Sequence, residues 1–158
     1  MDILPLGGIF SLLILFPNLL FLFFPPKINE HESDSSNKFS IIILVERIGQ
    51  AGCFVLPFLY RLNISSASNR VMIVLMAILL IFYYVCWIRY YIKDRGVEWF
   101  YRPMFGMMLP MAVLPVLYFF LASLVLQSMW LLIAVILLAI GHLTESWRQY
   151  RKIVYTNR

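Results

Sequence analysis

Val71–Ile92 reads VMIVLMAILLIFYYVCWIRYYI, with Arg89 as its one charged residue. A helix rises about 1.5 Å per residue, so a run of this length crosses a hydrocarbon core about 30 Å thick. In lipid the backbone must satisfy its own hydrogen bonds, which leaves helices or closed barrels. The run lacks the two-residue alternation of a barrel strand, so it reads as a helix.

Working outward, four more apolar blocks of similar length flank it: Ile3–Phe24, Phe39–Tyr60, Pro103–Leu126 and Met129–Trp147. The expected fold is therefore all-α, a polytopic transmembrane helical bundle of about five spans. It forms a single membrane domain over residues 1–158, with a tail at 148–158. Composition agrees: 62% of the 158 residues are hydrophobic and 13% charged, whereas soluble domains carry about 45–50% and about 25%. The first block has no basic residue ahead of it, only Asp2, and no small-x-small cleavage site before Pro25-Pro26. It reads as a retained span, not a removed signal.

The connections set the orientation. Lys27–Lys38 holds Glu30, Glu32, Asp34 and a Ser/Asn cluster, and Asp94–Arg102 mixes charges with Trp99, Phe100 and Tyr101. Only Gln127-Ser128 separates the last two blocks, which implies a tight helical hairpin or one long broken segment. With five spans, ten of the thirteen Lys and Arg residues fall in the first loop, third loop and C-terminus. Only Arg61 and Arg70 fall on the other side, and Arg47 lies within the second span. Positive charge collects on the cytoplasmic face, so the N-terminus is expected outside and the C-terminus in the cytoplasm. The net charge of +5 thus reports membrane orientation, and no nucleic-acid partner is expected. Asn63-Ile64-Ser65 is an external glycosylation sequon, too close to the membrane to carry weight.

Ionisable residues inside spans are costly and point to function. Glu46, Arg47 and Gln50 lie in the second block, roughly 10 Å from its cytoplasmic start at the helical rise. His142, Glu145 and Gln149 share one face of the fifth. Arg89 closes the third, beside Tyr83, Tyr84, Tyr90 and Tyr91. Together these groups form a polar layer in the cytoplasmic half, with Glu46, Arg47, Gln50, Arg89, His142 and Glu145 as ligand-binding candidates. Pairing across helices is expected, Glu46 with Arg89 or His142 and Arg47 with Glu145. The bland alternative is that ion pairs fix helix registry while Arg89 and Arg148 anchor at the interface. The tyrosines, with Trp87, Trp99, Tyr101 and Trp147, then form an aromatic belt.

Pro103, Gly106, Pro110 and Pro115 mark the fourth block for kinking, with Met104, Met107, Met108 and Met111 as adaptable packing around the bend. Gly49 and Gly52 permit close helix approach. Cys53 and Cys86 sit roughly 12 Å apart in depth, beyond disulfide reach, and read as inert thiols.

No nucleophile elbow, phosphate loop or zinc-protease motif is present. His142 and Glu145 alone are too few for a metal site, so no metal and no cofactor is expected. In length and span count the chain resembles the translocator/tryptophan-rich sensory protein family. It lacks that family's Trp/Pro-rich motifs, and no cofactor-binding pattern like that of isoprenylcysteine methyltransferases follows Trp147. No residue role carries over from either.

The resulting expectation is a multi-pass protein of a bacterial plasma membrane, more a non-enzyme than an enzyme. It binds or passes a small or lipidic ligand through a cytoplasm-facing polar pocket. The alternatives are a membrane enzyme acting on a lipid or isoprenoid, with Glu46 or His142 as acid/base, and an accessory subunit of a membrane-protein complex.

Overall fold

The computed structural model describes residues 7–25, 41–93, 95–96 and 98–156. The loop Lys27–Lys38, with its acidic and Ser/Asn residues, and the chain ends lie outside the described residues. Six α-helices follow in order: α1 Gly7–Phe23, α2 Ile41–Val55, α3 Ala67–Ile92, the single turn α4 Glu98–Tyr101, α5 Pro110–Val125 and α6 Met129–Thr156. A 3₁₀ turn, Leu56–Leu59, continues α2 where Pro57 enters. Proline cannot donate the next helical bond. No strand occurs among the described residues.

Three helical segments are long and apolar enough to cross a membrane: Ile41–Leu59, Ala67–Ile92 and Met129–Lys152. Most of their residues are unburied by protein, as α3 shows with Val71, Val74, Leu75, Ile78 and Ile81 all exposed. Contiguous apolar surface on that scale requires a non-aqueous surrounding. The chain is therefore compatible with an integral membrane protein.

The first and fourth blocks hold shorter apolar helices. α1 has 17 residues and α5 has 16. The helix of the fourth block starts at Pro110, not Pro103, so Pro103 and Gly106 kink no helix and only Pro115 is interior. α5 is also the most enclosed helix, with Leu114, Tyr118, Phe119 and Ala122 nearly inaccessible. A helix ringed by its neighbours meets little solvent of any kind, so its length is set by packing.

The tightest helix pair is α2 against α6. A Cβ on Gly141 would lie 2.5–2.7 Å from the Glu46 backbone and Cβ, and one on Gly49 would strike the Leu137–Leu138 backbone. Gly52 meets Ala134 in the same way. The partner number falls as the α2 number rises, so the helices run antiparallel. Without a hydrophobic driving force in lipid, such small-residue seams supply the close packing that holds helices together.

The joint between α5 and α6 is a tight hairpin, which decides between the two alternatives that Gln127-Ser128 left open. Gln127 adopts φ +50°. Its N–H donates to the Leu124 carbonyl at 3.2 Å, and the Ser128 N–H donates to the Ser123 carbonyl at 3.0 Å. That pattern closes a helix C-terminus. Ser128 Oγ then accepts from the Leu131 N–H at 3.1 Å and caps α6 at once. At the other end α6 runs on to Thr156, so the expected tail is helical over most of its length.

The chain between α4 and α5 takes a different course. Met104 and Met107 bond each other in both directions at 3.0–3.1 Å. Phe105 and Gly106 between them sit at φ +56° and +75°, and two consecutive positive φ values make a sharp reversal. Phe105 stacks on Phe82, centroids 4.7 Å apart. Phe82 lies ten residues before the end of α3, so this turn climbs roughly 15 Å along α3 at the helical rise. The fourth block, Pro103–Leu126, is thus a turn followed by a helix, and the short helix α4 precedes it in the expected third connection.

Candidate functional site

Where the turn before α5 meets the bundle, a half-open cavity of about 230 Å³ lies among all six helices. α1 supplies Ile14, Asn18 and Phe21, and α2 supplies Gln50, Cys53 and Phe54. Tyr83 and Trp87 come from α3, Phe100 and Tyr101 from α4. The N-terminal half of α5 and Leu138, His142 and Ser146 of α6 complete it.

The polar groups enter at different heights. His142 Nδ1 lies 2.7 Å from Glu46 Oε1, with side-chain exposures of 32% and 18%. A carboxylate accepts from Nδ1–H, which leaves Nε2 as the ring's remaining polar atom, a hydrogen-bond acceptor when the imidazole is neutral. Asn18 Nδ2 donates to the Ile14 carbonyl at 3.0 Å and to the Tyr83 hydroxyl at 3.2 Å. Gln50 lines the cavity with a side-chain amide that makes no hydrogen bond among the described residues. Tyr101 brings a phenol hydroxyl to the wall.

Trp87 stands at the aromatic side of the cavity, 5% exposed. Tyr91 stacks on it at 5.8 Å, while Phe21, Tyr83 and Phe100 meet it at steep angles 5.6–6.2 Å away. Its Nε1–H makes no well-formed hydrogen bond, the Tyr83 hydroxyl being the acceptor near it. A buried donor without a partner costs about 1–3 kcal/mol.

The structure sorts the sequence candidates clearly. It brings Glu46 and His142 together and places Gln50 and His142 on the cavity wall. Arg89 does not pair with Glu46. Its guanidinium donates to the carbonyls of Trp99, Arg102 and Pro103 at 2.9–3.3 Å. Those are the acceptors left orphaned where α4 ends, and a guanidinium presents several donors at once. Arg47 is exposed and makes no ion pair with Glu145. Glu145 instead accepts from Gln149 Nε2 at 2.7 Å and faces Arg148 at 3.8 Å on its own helix. Arg89, Lys93 and Arg102 all approach the Trp99 ring, at 5.5, 5.7 and 4.4 Å. Among the described residues no group of three or more metal-type ligands forms.

Two wall residues, Asn18 and Ser146, escaped the sequence reading, and two more, Tyr83 and Trp87, entered it only as part of an aromatic belt. Asn18 carried a usable signal, since an amide in an apolar block is costly. Trp87 and Tyr83 sit at i and i+4 with Tyr90 and Tyr91 one turn on, a helical stripe and not a scattered belt. Ser146 follows His142 by one turn and carried no distinguishing signal.

No protein-family model, curated protein or solved structure matches the chain, so the site is read from its own geometry.

Proposed function

We propose that this is a multi-pass membrane protein whose central cavity binds a small, mostly apolar ligand. The single observation that supports it most is the cavity itself. Gln50, His142, Tyr101 and Trp87, whose indole makes no well-formed hydrogen bond, line about 230 Å³ of space, where an accessory subunit would pack such groups against one another. All five long helices lie in the bilayer in this reading, α1 and the α4–α5 element included. The excess of Lys and Arg at the cavity end of the bundle supports a cytoplasmic location for that end, in a bacterial plasma membrane.

Typical small-molecule pockets measure about 300–1,000 Å³. The smaller volume here suits one ring system or the head of a lipid whose chain leaves through the open side. Mass spectrometry of molecules that copurify in native-membrane nanodiscs tests the proposal. A discrete species present in wild type and lost in His142→Ala is expected; identical profiles would count against it.

A second reading is favoured by the His142–Glu46 contact at 2.7 Å. A carboxylate-oriented imidazole is the usual arrangement of a general base, which suits a lipid-modifying enzyme. It requires a turnover that Glu46→Gln and His142→Gln both abolish, whereas pure binding requires only that affinity change.

A further inference from the structure

The chemistry of the cavity wall narrows the ligand class. Among the described residues lining it there is no Lys, Arg, Asp or Glu. Arg89, at the end of α3, gives both terminal nitrogens to the three carbonyls at the end of α4, and only its buried Nε is without a partner. Desolvating an anion without a partner charge is prohibitive, so carboxylate and phosphate ligands do not suit the space.

A cation is disfavoured for a different reason. Recognition through aromatic rings uses their faces, and here one face each of Trp87 and Phe100 is engaged by another ring. Trp87 is stacked by Tyr91 at 5.8 Å and Phe100 by Tyr90 at 4.4 Å. The one carboxylate bonded to a wall residue, Glu46, already holds His142 at 2.7 Å.

Besides the Gln50 amide, what remains unmet on the wall is a matched pair. The Trp87 indole N–H, on a side chain 5% exposed, makes no well-formed hydrogen bond and has only the Tyr83 hydroxyl near it. The His142 ring, with Nδ1 held by Glu46, keeps Nε2 for a donor. Phe21, Phe54, Phe119 and Leu138 supply apolar walls around them. We infer that the ligand is an uncharged, membrane-soluble ring compound that carries an oxygen acceptor for Trp87 and a hydroxyl donor for His142. Lipid-soluble quinols and prenylated phenols belong to that class. The inference rests on the cavity being a ligand site, and it adds the charge and polarity of the occupant.

A matched probe series tests it: 4-methoxy-1-naphthol, 1-naphthoate and 1-naphthylmethylammonium, which share one ring system and differ in charge. Each is titrated calorimetrically into the full chain in phosphatidylcholine nanodiscs, with empty nanodiscs subtracted. The neutral probe should saturate one site and bind at least about tenfold tighter than either ion. Losing one hydrogen bond in Trp87→Phe or His142→Phe should weaken it by about tenfold, with thermal unfolding and gel filtration confirming that both variants fold. Tighter binding of the ammonium or the naphthoate overturns the inference while leaving a ligand site in place. Unchanged neutral-probe affinity in folded Trp87→Phe overturns it as well. Failure of every probe to saturate the site would remove the cavity reading together with the inference.

Discussion

The α2–α6 seam and the α3–α4–α5 side of the bundle solve the same packing problem in opposite ways. Along the seam, Gly49 and Gly141 bring backbone onto backbone, and the one ionisable pair crossing it is bonded at 2.7 Å. On the other side large aromatics and the turn before α5 leave about 230 Å³ open and four buried polar atoms of α3 unpartnered, the Trp87 indole nitrogen among them. A chain able to close one side so tightly has not done so on the other.

The contrast can be broken most forcefully at the seam. Gly49→Val places methyl groups into the Leu137–Leu138 backbone and should destabilise by about 3 kcal/mol, the upper part of the usual overpacking range. A thermal unfolding midpoint in detergent equal to wild type would mean that the seam is not close-packed.

The next effect belongs to the end of α4. Arg89→Ala strands three carbonyl acceptors. Hydrogen bonds to a charged group contribute about 1.5–3 kcal/mol, so a loss near the low end is expected because two of the three are exposed. Arg47→Ala, on an exposed side chain, should stay within about 0.5 kcal/mol. Equal losses from the two arginines would return Arg89 to a simple interface anchor.

A finer test separates the pairs. A double-mutant cycle on Glu46→Ala and His142→Ala should give a coupling of about 1 kcal/mol, within the range seen between membrane helices. The same cycle on Arg47→Ala and Glu145→Ala should give none, since Glu145 is held by Gln149 and Arg148. Reversed couplings would restore the pairing that residue depth alone suggested.

These expectations also mark how far sequence reasoning reaches. Apolar blocks such as Val71–Ile92 fix helix identity because lipid leaves the backbone no other open-chain solution. The Glu46–His142 contact was legible because both residues lie at similar depth and polar side chains in spans seek partners. The break before Pro110 was not. A run containing Pro103, Gly106 and Pro110 fits a kinked helix as well as a turn, and only the Met104–Met107 bonds and the Phe105–Phe82 stack settle which forms. The cavity was invisible for the same reason. Asn18, Trp87 and Tyr101 reach it from three different helices.

Filling the cavity without touching the seam tests the central claim most directly. Ala112 is buried on the cavity wall at the start of α5, and Ala112→Leu extends three carbons into the space. Titration of 4-methoxy-1-naphthol into this variant should show affinity reduced at least about tenfold, with a thermal midpoint equal to or above that of wild type. Wild-type affinity in the folded variant would contradict the assignment of the cavity as the ligand site.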